Sequence, residues 1–267
     1  MKGLSYSFSM LMLFLLLTSS CEDLESQQKA LVNVLLIDEP GSFEQVWVEV
    51  LGVEVLPTGS RGQENADWLF IPYTPSIKTV SLTELIADQR LLLGRKEIQS
   101  GQIIGVRLVL GDNNYLISQG ERVNLQPSTD FNNRLTLDVN FNVPAGFSFD
   151  LYLDFSVVKS IRQADSGGWE LSPSIRAFDA SEVTEIRGTV QPANSYPMVY
   201  AISERDTITT LAHPQRGEFR LRGLPPATYT VIIQPNINYL DTAFQVSPTL
   251  DSLVQLGNLP IRERTND

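Results

Sequence analysis

The chain has 267 residues, one cysteine, one histidine and a formal net charge of −11 at pH 7. A single cysteine cannot form a disulfide within the chain, and a single histidine falls short of the three protein ligands, mostly histidine, of a hydrolytic zinc site. The acidic charge repels phosphate backbones and anionic headgroups, which argues against nucleic acid as a partner and against docking on anionic lipid through a basic patch.

The first element is a short apolar segment, Met10–Leu17, which follows a leader with one cation, Lys2. A membrane-spanning helix needs about 20 apolar residues, so this segment is too short to cross a bilayer. It has the length of the hydrophobic region of a secretory signal. Small residues and then Cys21 follow it, and the segment therefore predicts export.

The residues before Cys21 resemble the lipobox of bacterial lipoproteins, although Thr18 occupies the position three before the cysteine, where an aliphatic residue is usual. The resemblance implies that residues 1–20 are a signal peptide that is removed. It also implies that Cys21 carries diacylglycerol and that its new amino terminus carries an acyl chain such as palmitate. A soluble secreted protein cut nearby and an uncleaved anchor are the alternatives.

An acidic tether, residues 21–29, comes next and includes Glu22, Asp23 and Glu25. An acidic cluster directly behind an acylated cysteine resembles the surface-export signal of lipoproteins in some Gram-negative bacteria. This implies the outer membrane as the location, with the chain either exposed on the cell surface or facing the periplasm. Removal of the leader would change the formal charge from −11 to −12, so the acyl chains remain the predicted attachment to the membrane.

The region after the tether predicts strands, turns and one short helix, in keeping with 17 glycines, 15 prolines and many β-branched and aromatic residues. Side chains in Phe43–Val55 alternate between apolar and polar, as in a half-buried strand. Gly52 interrupts the pattern, which predicts a bulge. Ser81–Glu84 has the spacing of a capping box and predicts a helix over Leu82–Gln89.

Further strands are predicted by apolar residues at every second position. Ile104–Leu110 alternates up to a turn, and Tyr115–Ser118 is predicted to pair back on it as a hairpin. Leu135–Phe141 and Phe147–Val157 also alternate strictly. These two strands are predicted to form the centre of one core, with their polar face, including Asp154, in water.

Four blocks of this region carry a family resemblance. They are LLIDEPGSFEQVWVEVLGVEV (Leu35–Val55), LTELIADQRLLLGRKEIQSGQIIGVRLVL (Leu82–Leu110), VPAGFSFDLYLDFSVVKSI (Val143–Ile161) and WELSPSIRAF (Trp169–Phe178). In this order they resemble successive blocks of domain-of-unknown-function family 4382, over about Ala30–Phe178. The resemblance implies a mostly β domain of bacterial lipoproteins and brings no activity with it.

A second β unit is predicted over Thr184–Ile261. Its strands are Ile186–Val190, Met198–Ser203, Thr207–Ala212, Glu218–Leu221, Thr228–Gln234, Thr242–Val246 and Leu253–Leu256. The stretch GEFRLRGLPPATYTVIIQP (Gly217–Pro235) is similar to carboxypeptidase-regulatory-like modules, which are small prealbumin-type sandwiches. Ala227 stands where that signature usually has glycine. A left-handed backbone there would carry about 1 kcal/mol of strain or more; otherwise the turn is of another type.

The predicted fold class is therefore all-β, with two antiparallel β-sandwich domains in tandem after a cleaved signal peptide. One short helix is predicted in the first domain. The first domain covers residues 30–180 and the second covers residues 183–262. Residues 263–267 form a tail.

No catalytic motif is found in the sequence, which contains no HExxH, CxxC or GxSxG. His213 precedes Pro214 and is predicted as a turn residue. Asp150 and Asp154 are four positions apart on one strand, about 13 Å at roughly 3.3 Å per residue, which is too far for a glycosidase pair. We therefore predict no enzymatic activity and no cofactor.

Oxygen-rich turns leave calcium as a minor alternative, since hard cations need only clustered oxygen ligands. The candidates are Asp112, Asn113 and Asn114, or Asp130, Asn132 and Asn133. Neither group has EF-hand spacing, and Asp and Asn are common turn formers. No metal site is therefore predicted.

Aromatic residues with polar neighbours provide the candidate ligand-binding residues. These are Trp47, Trp68, Tyr73 and Trp169, with core or inter-domain packing as the alternative. The predicted function is that of a non-enzymatic binding protein of the cell envelope, anchored through lipid on Cys21, whose ligand is a carbohydrate or another envelope protein. An architectural subunit of a surface complex or fibre is the alternative, and an unrecognised hydrolase is a third reading.

Overall fold

A computed structural model describes residues 29–39, 43–58, 67–85, 89–129, 131, 133–164, 167–181, 183–250 and 252–264. The predicted signal peptide and Cys21 lie outside the described residues. Within them, the chain is built almost entirely of strands, which confirms the predicted all-β class.

Thirteen of the described strands and one short helix form the first unit. The strands are β1 (Lys29–Glu39), β2 (Gln45–Pro57), β3 (Leu69–Pro72), β4 (Thr79–Ser81), β5 (Leu91–Gln99), β6 (Gly101–Leu110), β7 (Tyr115–Ser118), β8 (Glu121–Pro127), β9 (Arg134–Val143), β10 (Ser148–Ser156), β11 (Ile161–Gln163), β12 (Trp169–Leu171) and β13 (Ile175–Asp179). The helix, α1 (Val157–Ser160), lies between β10 and β11.

The second unit contains the remaining described strands. They are β14 (Thr184–Gln191), β15 (Met198–Ile202), β16 (Thr207–Leu211), β17 (Glu218–Leu224), β18 (Tyr229–Gln234), β19 (Thr242–Val246) and β20 (Leu253–Pro260), with a single 3-10 turn over Ala193–Ser195. The seven strands that the sequence predicts here are all present, with bounds that differ by a few residues.

Each unit is a sandwich of two sheets. In the first, a four-stranded sheet in the order β13-β10-β1-β5 packs on a nine-stranded sheet in the order β11-β12-β8-β7-β2-β6-β9, with β3 and β4 paired to β2. In the second, the sheets are β17-β14-β20 and β16-β15-β18-β19. Most pairs are antiparallel, but β1 and β10, β8 and β12, and β14 and β20 are parallel. Each sandwich encloses its own hydrophobic core.

Strand β2 follows the predicted alternation and the predicted bulge. Val46, Val48 and Val50 are fully buried in the first core. The register of β2 against β6 shifts between Val50 and Gly52, which confirms the bulge. A Cβ atom at Gly52 would lie 2.5 Å from the carbonyl oxygen of Ile71, so the strand needs glycine at this close approach.

The predicted hairpin of β6 and β7 is wrong. Strand β7 pairs with β2 over Gln45–Trp47, whereas β6 pairs with β2 over Val50–Pro57. The second partner of β7 is β8, and that of β6 is β9. Since β2 is 13 residues long, both strands pair with it in succession, β7 before the bulge and β6 across it.

The helix predicted over Leu82–Gln89 is also wrong for the residues that the structure describes there. Residues 82–85 form turns, with the amide of Leu85 donating to the carbonyl of Leu82 at 2.8 Å. The hydroxyl of Ser81 lies 3.4 Å from that of Thr83. Residues 86–88 lie outside the described residues. Among the described residues, α1 is the one α-helix.

Strands β9 and β10 do not pair, and β10 has no water-facing side over most of its length. They lie in opposite sheets, and β10 pairs with β1 and β13. On the face predicted to be polar, Tyr152 is 6% and Asp154 is 8% exposed. The second unit lies against this face, which the alternation of one strand cannot reveal.

The junction between the two units is built on β13. The Arg176 guanidinium donates to Asp154 Oδ2 at 2.6 Å, and it also donates to the backbone carbonyls of Gly223 at 2.5 Å and Arg222 at 3.0 Å. Beside it, Phe178 stacks on Tyr152 with 5.3 Å between ring centres. One side chain of the first unit therefore holds the backbone of strand β17 in the second.

The turn near Ala227 avoids the strain that the sequence leaves open. None of the described residues from Pro225 to Thr228 has a positive φ; Gly223, with φ of +68°, is left-handed but lies in β17, before the turn. The hydroxyl of Tyr229 donates to the carbonyl of Pro225 at 2.7 Å and closes the turn. The turn therefore has a different backbone conformation from the turn of the family signature, which has glycine at the position of Ala227.

Gly217 offers a direct test of the second sandwich. Its φ is +73°, and a Cβ atom would lie 2.1 Å from the carbonyl oxygen of Val190. We expect Gly217→Ala to lower the free energy of unfolding by about 2–3 kcal/mol, from left-handed strain and overpacking. Chemical denaturation measures the loss.

Gly120→Ala is the matched control, because Gly120 has a similar φ of +78° but nothing within 4 Å of the added Cβ atom. It should lose about 1 kcal/mol, from backbone strain alone. Equal losses in the two variants would show that the contact with Val190 does not matter.

Candidate functional site

The structure places Trp47 in a stack of side chains on the outer face of the nine-stranded sheet. Its ring lies 6.0 Å from that of Tyr115 at an interplanar angle of 11°, and its indole N–H donates to Gln45 Oε1 at 3.0 Å. From the next strand, the Arg122 guanidinium lies 3.8 Å from the centre of the Tyr115 ring. The ring faces of Trp47 and Tyr115 therefore contact neighbouring side chains.

Trp68 has a similar partner. The Arg107 guanidinium lies 3.6 Å from the Trp68 ring centre, a cation–π contact. Arg107 also donates to Thr136 Oγ1 at 2.9 Å and lies 3.5 Å from a carboxylate oxygen of Glu54. The stack of Trp68 on Arg107 thus belongs to a polar network on the outer face of the sheet.

The other two candidates pack inward. Trp169 contacts Phe43 edge to face, with 5.7 Å between ring centres, and lies against the first core. Tyr73 is only 7% exposed, and burial raises the pKa of its phenol. The four candidates lie at separate places in the first sandwich, and the structure does not bring them together.

Among the described residues, Phe147 is the aromatic side chain that is most open to a ligand. It is 67% exposed, although its alternation with Phe149 predicts a place in the core. Phe149 is 5% exposed and packs against Phe141, with 5.9 Å between ring centres. Phe147 precedes β10, directly after the turn that ends β9, and therefore lies beyond the end of the core.

Backbone hydrogen bonds fix the position of Phe147. Its carbonyl accepts from the amide of Leu31 at 3.1 Å, and the amide of Gly146 donates to the carbonyl of Lys29 at 2.8 Å. Gly146 has a φ of +79°, which the turn before Phe147 requires. The ring is thus presented from a fixed backbone at the end of the sandwich where β1 begins.

Two clefts lie on either side of Phe147 and share Phe147 and Ser148 in their walls. The first has a volume of about 570 Å³, with Asn142, Asp150 and Asp179 among its polar lining. The second has a volume of about 400 Å³ and is lined by the charged residues Lys29 and Glu97. We refer to this region as the Phe147 site.

Asn33 holds the polar side of the Phe147 site in place. Its side-chain amide donates to Ser148 Oγ at 2.9 Å and to Asp150 Oδ1 at 2.7 Å. The carboxylate of Asp179 accepts from the amide and hydroxyl of Ser181 at 2.9 and 2.6 Å. The site therefore combines one exposed ring with fixed amide, hydroxyl and carboxylate groups, a mixture that fits an uncharged polyhydroxylated ligand.

The sequence did not reveal the Phe147 site because apolar residues continue at every second position from Phe147 into β10 without a break. The signal that could have found it is the turn Pro144-Ala145-Gly146 directly before this residue. A residue next to a turn lies at the end of the core, where apolar side chains of the opposite sheet are absent. The polar partners come from β1 and from the end of β13, far away in sequence.

His213 occupies a turn, where its Nδ1 atom accepts from the amides of Gln215 and Arg216 at 3.2 and 3.3 Å. Among the described residues, no three His, Cys, Asp or Glu side chains are grouped so that they could hold a metal ion. That same part of the chain also has no helix of the length and apolar character needed to cross a bilayer.

The oxygen-rich turns hold each other by hydrogen bonds. Asn133 donates to Asp112 Oδ1 at 2.6 Å, and Arg122 donates to Asn113 Oδ1 at 2.6 Å. Asn114 Oδ1 accepts from the amide of Glu49 at 2.9 Å. These contacts are those of turn residues; Asp130 and Asn132 lie outside the described residues.

Comparison with known proteins identifies one family. The profile of the family described as Domain of unknown function (DUF4382) matches residues 29–173. No curated protein matches the chain significantly.

Solved structures to which the chain is similar, at low TM-score, include the following three proteins. The TIE protein of Bacillus anthracis is 12% identical, with 88% of this chain and 34% of that chain covered and a TM-score of 0.24. A leucine-rich repeat protein from Bacteroides thetaiotaomicron VPI-5482 is 13% identical, with coverage of 88% and 26% and a TM-score of 0.20. A variant of the shaft pilin SpaA from Lactobacillus rhamnosus GG is 11% identical, with coverage of 88% and 98% and a TM-score of 0.24. The chain thus spans about a third and about a quarter of the first two proteins.

Proposed function

The chain belongs to the family described as Domain of unknown function (DUF4382), and from this premise we propose that it is a lipid-anchored, non-enzymatic binding protein of the bacterial cell envelope. Its anchor is acyl chains on Cys21, after removal of residues 1–20. Its location is the outer membrane of a Gram-negative bacterium, with the chain either exposed on the cell surface or facing the periplasm.

The observation that carries the binding role is the Phe147 site. Phe147 is 67% exposed and lies between two clefts with polar walls, so its ring face is open to a ligand that also reaches polar groups. The C–H groups of a sugar ring pack on such a face, while its hydroxyls hydrogen-bond to amide and carboxylate oxygens like those of Asn142 and Asp150. The ligand we propose is therefore an uncharged saccharide unit of an envelope glycan.

The second sandwich has the role of a rigid support in this proposal. We assign it to the carboxypeptidase-regulatory-like, prealbumin-type modules on the strength of the stretch Gly217–Pro235. It contacts β13 through Arg176, and none of its described residues lines the two clefts beside Phe147. No chemistry is assigned to it.

A glycan array probed with the full chain tests this function. We expect retention of uncharged glycans, and we expect Phe147→Ala to weaken binding of the retained glycan at least about tenfold, equivalent to about 1.4 kcal/mol. The reason is that the ring supplies the apolar contact while the polar groups stay in place. Calorimetric titration measures the change.

Ile237→Ala is the matched control, because Ile237 is 81% exposed and lies in the second sandwich. It removes a similar exposed apolar side chain and should leave glycan affinity within about twofold. A parallel loss in both variants would point to a general effect on solubility or folding, and the Phe147 site would then not be the binding site.

An architectural subunit of a surface complex or fibre is the second candidate function, and the long strand β9 at a sheet edge favours it. Absence of retention on the array, together with a stoichiometric partner that co-purifies only while the second sandwich is present, would establish this role. An unrecognised hydrolase is the third candidate. It requires turnover of a glycoside or ester that is lost on changing a single Asp.

A further inference from the structure

Strand β9 forms an edge of the nine-stranded sheet, where β6 is its one partner among the described strands. Along β9, the side chains of the outer face are exposed, and those of the core face are half-buried except at the end of the strand. The core face of β6 is covered completely; Val106 and Leu108, for example, are 0% and 1% exposed. The apolar face of the sheet therefore continues past β6 to an edge strand that is only partly covered.

A sheet edge presents backbone amides and carbonyls that can pair with another strand, and a bulge limits such pairing. The register of β9 against β6 shifts between Ile103 and Gly105, which leaves Val139 and Asn140 in an irregular part of β9. The regular part of this edge is thus the five-residue segment Arg134–Asp138, which we call the β9 edge segment.

The β9 edge segment is complementary to itself in an antiparallel pair. Residues that lie opposite each other in such a pair point to the same side of the sheet. When Thr136 lies opposite Thr136 of a second copy, Arg134 of each copy lies opposite Asp138 of the other. On the core face, Leu135 of each copy then lies opposite Leu137 of the other. Opposite charges and apolar side chains are therefore matched at the same time.

The two charges select this register among those that keep both cores on the same side of the joined sheet. A slide of two residues places Arg134 or Asp138 opposite the neutral Thr136, and a slide of four places like charges opposite each other, which is destabilising. Within the chain, Arg134 is 57% exposed and lies 4.0 Å from a carboxylate oxygen of Glu54. Asp138 forms no ion pair with any described residue. Both side chains can therefore reach a second copy.

We propose that the β9 edge segment pairs with the same segment of a second copy of this chain, across a two-fold axis at Thr136. The nine-stranded sheets of the two copies then form one continuous sheet, and each copy covers the half-buried core face of the other at this edge. Because both copies use the same residues, the contact closes on itself as a dimer and leaves any further assembly to other surfaces.

The dimer is expected to be weak, since a pairing of five residues is smaller than a standard protein interface. It is independent of the Phe147 site, because the β9 edge segment lines neither of the two clefts beside Phe147. Loss of glycan binding would therefore leave the dimer intact, and loss of the dimer would leave glycan binding intact.

Analytical ultracentrifugation of the full chain tests the proposal. The buffer contains a reductant, so that Cys21 cannot cross-link two copies, and about 150 mM salt, which screens the net charge of −11. We expect the dimer fraction to rise with chain concentration between about 10 and 500 μM. Arg134→Asp and Asp138→Arg should each weaken the dimer at least about tenfold, because each substitution places like charges opposite each other at two positions.

An equimolar mixture of these two variants tests the register itself. In the mixed pair, Arg134 of one chain faces Asp138 of the other, and the introduced arginine faces the introduced aspartate, so the dimer should return to within about threefold of the parental affinity. Glu121→Arg is the control, because it makes the same change of charge on an exposed residue of β8 and should leave the dimer unchanged.

Four results would overturn the proposal. They are a parent chain that stays monomeric at about 500 μM, single variants that dimerise like the parent, a mixture in which the dimer does not return, and an equal loss of the dimer in Glu121→Arg.

Discussion

Cells that produce the Cys21→Ser variant should yield a chain with no incorporated palmitate and no retention in the membrane fraction. The expected effect is close to all-or-none, because Cys21 is the one thiol of the chain. Each buried CH₂ group of an acyl chain contributes about 0.8 kcal/mol to membrane binding, and more than one chain gives stable attachment. Metabolic labelling with palmitate and fractionation of the membranes measure both effects.

Ser20→Ala provides the control, since it keeps a small residue directly before Cys21 and should leave labelling unchanged. A Cys21→Ser chain that is still held in the membrane like the parent would contradict lipid anchoring and favour an uncleaved apolar anchor. A parent chain that appears in the medium without label would favour a soluble secreted protein.

Arg176→Ala is expected to have the largest effect on stability, a loss of about 3–5 kcal/mol in the free energy of unfolding. The change leaves the Asp154 carboxylate, which is 8% exposed, without its guanidinium partner. It also removes the donor to the carbonyls of Arg222 and Gly223. We further expect the two sandwiches to unfold in separate transitions, because this side chain joins them. Chemical denaturation followed by two probes measures both effects.

The control for this prediction is Arg162→Ala, which removes an exposed ion pair with Glu170 at 3.1 Å. It should cost less than about 1 kcal/mol. Adding Asp154→Asn to Arg176→Ala should recover part of the loss, because the buried charge is then removed as well. If Arg176→Ala costs no more than Arg162→Ala, the junction does not depend on Arg176.

Strand positions could be predicted from the sequence because the alternation of apolar and polar residues along a strand is a local pattern. The seven strands of the second sandwich and the bulge at Gly52 follow from such local patterns. The pairing partners could not be predicted in the same way. Strand β7 pairs with β2 and not with β6, because β2 is long enough to accept both strands in succession.

The helix predicted over Leu82–Gln89 rested on a capping box alone. The spacing of Ser81 and Glu84 is also compatible with a turn, and no amphipathic pattern of sufficient length follows to select the helix. Directly before this segment β4 pairs with β2, and the amide of Leu82 continues the contact by donating to the carbonyl of Val46 at 2.9 Å.

Candidate sites were predicted from residue type, and here the sequence was least informative. Trp47 and Trp68 carry polar neighbours as expected, but Tyr115 and Arg107 come from other strands and cover their rings. Phe147 is exposed because the core ends before it. Arg90 of the first sandwich and Arg220 of the second line one cleft, a grouping that only the packing of the two units creates.

Saturation-transfer NMR on the full chain, with a glycan that the array retains, gives the most direct test of binding without turnover at Phe147. We predict that the sugar-ring protons receive saturation from aromatic protons in the parent chain and in Ile237→Ala. At equal concentrations, the saturation should fall clearly in Phe147→Ala, in line with an affinity at least about tenfold weaker, and the glycan should be recovered chemically unchanged. Saturation as strong in Phe147→Ala as in the parent chain, or conversion of the glycan during the measurement, would contradict the account.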